Sequence, residues 1–160
     1  MNKIILLATA FIFKSSICLA SETSSIQTEA ADDSTATVES AAVIVDKAWA
    51  RKSMSSNNNS AAYMSINNKT DKDIVIIGAS SIEVANNVEL HNSFVDEKGI
   101  SRMTHVDKIV VPAKSAIELK PGSLHIMLFD LRKSLNSGDK FLIELKVDGS
   151  DPLTVETTVE

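Results

Sequence analysis

Residues 115–147 read SAIELKPGSLHIMLFDLRKSLNSGDKFLIELKV, and their pattern decides the fold. Ile117 and Leu119 flank Glu118, while Phe141, Ile143 and Leu145 alternate with Leu142, Glu144 and Lys146. A period of two belongs to a strand, whose successive side chains face opposite sides of a sheet. Such runs predict strands with one face on a core and one toward water. Between them, KPGS at 120–123 and NSGD at 136–139 supply the Pro, Gly and Asn that turns need. Working outward, strands are expected near 43–51, 61–67, 73–79, 87–95, 100–111, 115–119, 125–129, 140–147 and 153–159. No segment offers a 3.6-residue apolar stripe of helical length. Short strands at this density, in the 118 residues from Val43 onward, predict an all-β fold, an antiparallel β-sandwich or barrel.

The start of the chain is different material. Lys3, the apolar run IILLATAFIF at 4–13 and the small residues before Ser21 read as a secretory signal over 1–20, with cleavage after Ala20. The run is too short to span a membrane, so membrane attachment is expected only through an uncleaved signal anchor. A lipoprotein site at the single cysteine, Cys18, is disfavoured by the bulky Ile17 before it. Residues 21–42 hold five acidic and no basic side chains among Ser, Thr and Ala, which predicts a disordered acidic spacer. Residues 43–160 then form the folded domain, with 14 basic and 16 acidic residues. That near-neutral balance, within a chain of net charge −5, argues against nucleic acid, whose phosphates need a basic footprint. With Cys18 removed, no thiolate remains and the domain is expected to be held without disulfides, by its core alone or by a ligand.

The reactive inventory is small and unevenly placed. His125 and Met127 are separated by one residue at the start of an expected strand, so imidazole and thioether share a face. Met103 and His105 have the same spacing, and a hairpin of 87–95 with 100–111 would carry His91 toward one or the other. Soft thioether with borderline imidazole, and no thiolate, suits Cu(I) better than Zn(II), Ca(II) or Mg(II). Imidazole ligates only when neutral, so metal retention by such a set is expected to weaken in acid. Against this stands the ordinary use of methionine as core filler, which is the reading for Met64, and of histidine as a hydrogen-bonded strand residue. Trp49 and Tyr63 are assigned to packing, and Met54 to a polar loop. His105 is read as a solvated strand residue, or as an auxiliary ligand for Cu(II). No nucleophile elbow or phosphate-cradling loop is present, so an enzyme is not expected.

The stretch from His91 to Met127 resembles the signature of the PCu(A)C family, periplasmic copper chaperones for the Cu(A) centre of cytochrome c oxidase. In that signature a His is followed after ten residues by a Met, then after twenty-one by His-x-Met. Here twenty-one residues separate Met103 from His125, and eleven separate His91 from Met103, the extra one falling in the turn VDEKGIS. AWAR at 48–51, AAYMSI at 61–66, VELH at 88–91 and LKPGSLHIMLFDL at 119–131 look like further landmarks, so the likeness runs over residues 43–150. The resemblance implies a cupredoxin-like β-sandwich binding one Cu(I) through His91, Met103, His125 and Met127. It further implies periplasmic delivery of copper by ligand exchange to a cytochrome c oxidase subunit or a copper-transfer assembly factor. The alternatives are an exported interaction module without a metal and periplasmic copper sequestration. A blue-copper electron carrier is disfavoured because that site needs a thiolate.

Overall fold

A computed structural model describes residues 38–40, 42–53 and 58–160. The signal, most of the spacer and Met54 lie outside the described residues. Eleven strands run through the rest: β1 (Val38–Ser40), β2 (Val43–Ala50), β3 (Ser60–Asn68), β4 (Ile74–Ser80), β5 (Ala85–Val95), β6 (Ser101–His105), β7 (Ile109–Val111), β8 (Ala116–Leu119), β9 (Leu124–Leu131), β10 (Lys140–Val147) and β11 (Leu153–Val159). Among the described residues there is no helix. β1 falls within the stretch that composition assigns to the spacer and pairs with β2, Val38 opposite Val45.

Hydrogen bonding links the strands in the order β6-β5-β9-β3-β2-β11-β10-β4-β7, with β8 joining β3. Laid flat, nine strands about 4.8 Å apart would span roughly 40 Å. Yet Leu90 of β5, Ile126 and Leu128 of β9, Ile76 of β4, Val111 of β7 and Ile143 of β10 belong to one buried cluster. The sheet therefore curls over a single core, which is the cupredoxin-like all-β arrangement. Every pairing is antiparallel except β11 with β2, which is parallel. The alternation in β10 is realised, with Phe141, Ile143 and Leu145 at most 3% exposed. Full burial of such a side chain contributes about 1.5–3 kcal/mol.

Two local departures from the expected strands matter for the site. The single strand expected over 100–111 is broken: β6 pairs with β5, whereas β7 pairs with β4. The polar Asp107-Lys108 pair lies where the chain crosses from one partner to the other. In β2 the register slips by one between Asp46 and Trp49, where Lys47 has φ of 51°. Val43 and Val45 face the core before this bulge, and Ala48 and Ala50 after it. One extra residue thus moves Trp49 to the outer face, against Tyr63, with ring centroids 4.4 Å apart. Met64 is buried in the core, as expected.

Candidate metal centre

Register builds the site. On β5 and β9, His91 lies opposite His125 and Glu89 opposite Met127. On β5 and β6, His91 lies opposite His105 and Ser93 opposite Met103. Because directly paired residues project to the same side, one face collects Glu89, His91, Met103, His105, His125 and Met127. Leu90 and Ile126, one position along, fill the core on the other face. Of the two partners that spacing offers His91 across the hairpin, His105 is the direct one and Met103 is one step further on.

The turn before β9 fixes the ring of His125. Ser123 N–H donates to the Lys120 carbonyl, with Pro121 and Gly122 between and Gly122 at φ 79°. This is the φ > 0 corner that glycine accepts without strain and that a type II turn requires. The Ser123 carbonyl, so placed, accepts from Ser93 N–H at 3.0 Å and from His125 Nδ1 at 2.8 Å. A carbonyl only accepts, so Nδ1 carries the proton and Nε2 of the neutral ring keeps its lone pair.

His91 is held differently. Its Nε2 lies 2.9 Å from Glu89 Oε2. The Glu89 carboxyl is held below the ordinary glutamate range, first by this hydrogen bond and then by one from Asn87, so the carboxylate accepts and Nε2 donates. The remaining nitrogen, Nδ1, is buried and has no hydrogen-bond partner. A buried imine nitrogen without a donor costs about 1–3 kcal/mol, which a metal bond would recover. Each of the two rings thus retains one nitrogen suited to a cation, and the ring centroids are 5.9 Å apart.

Met103, His125 and Met127 line a half-open cavity of about 300 Å³, together with Tyr63, Pro121 and Gly122. His91 is not in that lining; it sits on the neighbouring strand behind it, packed on Phe129 at 5.7 Å between centroids. Met103 is 49% exposed, so the soft set opens to solvent on the β6 side. Tyr63, assigned from sequence to packing, both stacks on Trp49 and lines the cavity. Burial raises its phenol pKa, the nearby Arg51 charge opposing this. His105 is exposed, with Nδ1 3.5 Å from Glu89 Oε2 and Nε2 3.5 Å from Asp107 Oδ1. Sequence reasoning missed Glu89. Its position two residues before His91 on a strand was the available signal, because period two puts both on one face.

The family model described as "LpqE-like: Putative lipoprotein LpqE-like" matches residues 43–159. A Rickettsia prowazekii (strain Madrid E) relative, "Uncharacterized protein RP573", is 31% identical over 123 residues, covering 74% of this chain and 67% of the relative. Among solved structures, the copper-bound PCuAC domain from PmoF2 superposes with a TM-score of 0.66 at 21% identity, covering 78% of this chain and 97% of that one. The solution structure of CuI-DR1885 from Deinococcus radiodurans gives a TM-score of 0.57 at 29% identity, covering 71% and 74%. With a family match across the whole run from β2 to β11 and a PCuAC fold beneath it, the chain belongs to the LpqE-like family.

Proposed function

We propose that this protein is an exported copper chaperone, holding one Cu(I) through His91, Met103, His125 and Met127 and releasing it by ligand exchange. One observation carries the reading: three of these donors share a half-open cavity, and the imidazole behind them has a buried nitrogen with no partner. Two thioethers and two neutral imidazoles form a soft, uncharged set that matches Cu(I) and leaves the site cationic, which favours exchange over permanent capture. Arg51 and Lys52 border the same cavity and add to that bias. Met103, half exposed on the last strand of the sheet path, is the ligand an incoming acceptor reaches first. The copper named in the two PCuAC-type structures supports the metal. The signal-like residues 1–20 and the lipoprotein description of the family support export, and the periplasm is the compartment this reading favours. A cytochrome c oxidase subunit, or a factor that assembles its copper centre, is the acceptor this reading favours. The mechanism is delivery without turnover.

The test is an anaerobic Cu(I) titration against a chromophoric chelator, with the parent beside a His125→Ala/Met127→Leu variant. The parent should retain one equivalent that the variant loses. A folded parent that fails to compete with the chelator would end the chaperone reading.

A further inference from the structure

We infer that Glu89, His91 and His105 form a second cation site, harder than the first, for a divalent first-row ion such as Zn(II) or Cu(II). One carboxylate oxygen and two imidazole nitrogens lie within 4.8 Å of one another on the outer face of β5 and β6. Glu89 Oε2 stands 2.9 Å from His91 Nε2 and 3.5 Å from His105 Nδ1. Donors around a tetrahedral ion with bonds of about 2.0–2.1 Å are roughly 3.3 Å apart, so two edges of the triangle are already near length. A modest rotation of the exposed His105 closes the third.

The surroundings prepare these groups. Asn87 Nδ2 donates to Glu89 Oε1 at 2.7 Å, which leaves Oε2 turned to the two rings. Asp107 Oδ1 faces the far nitrogen of His105, so that ring has a carboxylate behind it and Nδ1 in front. Carboxylate–imidazole–metal is the arrangement by which outer-shell groups fix a ligand's tautomer and raise its basicity. The His105 side chain is 53% exposed, leaving a path for entry and room for water to complete the coordination. Oxygen and imidazole donors suit Zn(II) and Cu(II), whereas the thioethers of the neighbouring cavity suit Cu(I).

The two sites meet at His91. A neutral imidazole has one basic nitrogen: Nδ1 for the soft site with Nε2–H on Glu89, or Nε2 for this one. The ions therefore compete for the ring, and filling the soft site should weaken the hard one. The hard site does not depend on the Cu(I) reading, since Glu89, His91 and His105 stand together whether or not His91 also serves a soft site.

Zn(II) is the probe, being unable to change oxidation state. The full chain is titrated with Zn(II) in competition with a chromophoric chelator, beside His105→Ala, Glu89→Gln and Met127→Leu. Circular dichroism checks each fold, and β6 is exposed throughout, so His105→Ala leaves the core untouched. The parent should hold one equivalent; His105→Ala and Glu89→Gln should each weaken it by about tenfold or more, and Met127→Leu should not. The same His105→Ala protein should keep its Cu(I), so failure here and failure of the copper reading give different patterns. A folded parent that holds no Zn(II), or Zn(II) binding that survives both His105→Ala and Glu89→Gln, would overturn the inference.

Discussion

β3 carries a polar cluster near each end, and the two are built on opposite terms. At its C-terminal end the Asn68 side chain is fully buried and fully used. Its Nδ2 donates toward the carbonyls of Lys72, Val111 and Pro112 at 2.8–3.1 Å, and its Oδ1 accepts from Thr70 N–H and Oγ1. Toward its N-terminal end, Ala61 pairs with Met127 and Tyr63 leans on His125, bordering the face where His91 Nδ1 is buried with nothing to bond. Satisfied polar atoms in a core rigidify it, whereas an unsatisfied one costs stability and calls for an explanation. Asp46 Oδ1 and Thr157 Oγ1 are also buried without partners, but neither belongs to a cluster of metal-ligating groups among the described residues. His91 does, through its other nitrogen, and its ring also shares a strand face with Met103, His125 and Met127. One end of β3 is closed for the fold, and the other borders a half-open cavity.

That contrast breaks most visibly at Asn68. Asn68→Ala strands the buried Val111 carbonyl and two partly buried ones at once and should destabilise the protein by about 3 kcal/mol, read from the urea midpoint. Cu(I) affinity of the fraction that stays folded should be unchanged. A loss of copper as large as the loss of stability would mean that the two ends are not separate devices.

The mirror-image experiment is His91→Leu. It removes the orphan atom and leaves an apolar side chain against Phe129, so stability should stay within about 1 kcal/mol of the parent. Cu(I) affinity should fall by more than the roughly 10- to 100-fold that loss of an outer-shell partner costs. A variant that unfolds would show that His91 is structural, like Asn68, and the chelator competition would then be uninformative without the Met127→Leu protein beside it. Met127→Leu, close in volume, should cost under about 1.5 kcal/mol and still release the metal.

Much of this was legible in the chain because two periodicities carry it. Alternation in SAIEL and KFLIELKV fixes strands, and the spacing of His91, Met103, His125 and Met127 brings the soft donors to one face. Glu89 could be put on the face of His91 by its spacing. That it and Asp107 flank His105 was not legible, because this depends on which residue of β6 faces His91, and the five-residue turn at 96–100 settles that register. The outward turn of Trp49 was hidden for a related reason: the bulge at Lys47 is a backbone event with no glycine or proline to announce it. The break between β6 and β7 looked like continuous strand because Val106 and Ile109 suit either state. The chain's change of partner there is a tertiary fact.

A smaller effect on copper belongs to Gly122, whose turn places the Ser123 carbonyl on His125. An added Cβ would meet no atom within 4 Å, so Gly122→Ala has only the left-handed backbone to overcome, about 1–2 kcal/mol. Copper affinity should drop modestly as His125 loses its fixed tautomer. An unaffected site would show that the turn serves the passage from β8 to β9, which pair in succession with β3, and not the metal.

The smallest effect expected lies at the β5–β6 turn, where Asp96 does for the hairpin what Asn68 does for the core. Its carboxylate accepts from Lys98 N–H, Ile100 N–H and Arg102 Nε, and these contacts, the Ile100 N–H foremost, hold its pKa below the ordinary aspartate range. A depressed folded pKa means that the unfolded chain binds the proton more readily, so the contribution is complete at neutral pH and is lost as pH falls through the folded value. Asp96→Asn should remove this component, leaving a urea midpoint that declines less between neutral and acid pH than the parent's. Because the turn is exposed and its ion pair screened, the difference should be slight and should shrink further in salt. Parallel declines in the two proteins would mean that backbone geometry alone holds the turn. In that case the register setting His105 against His91 owes nothing to the charge on Asp96, and the face that carries them is positioned by hydrogen-bonded strands from end to end.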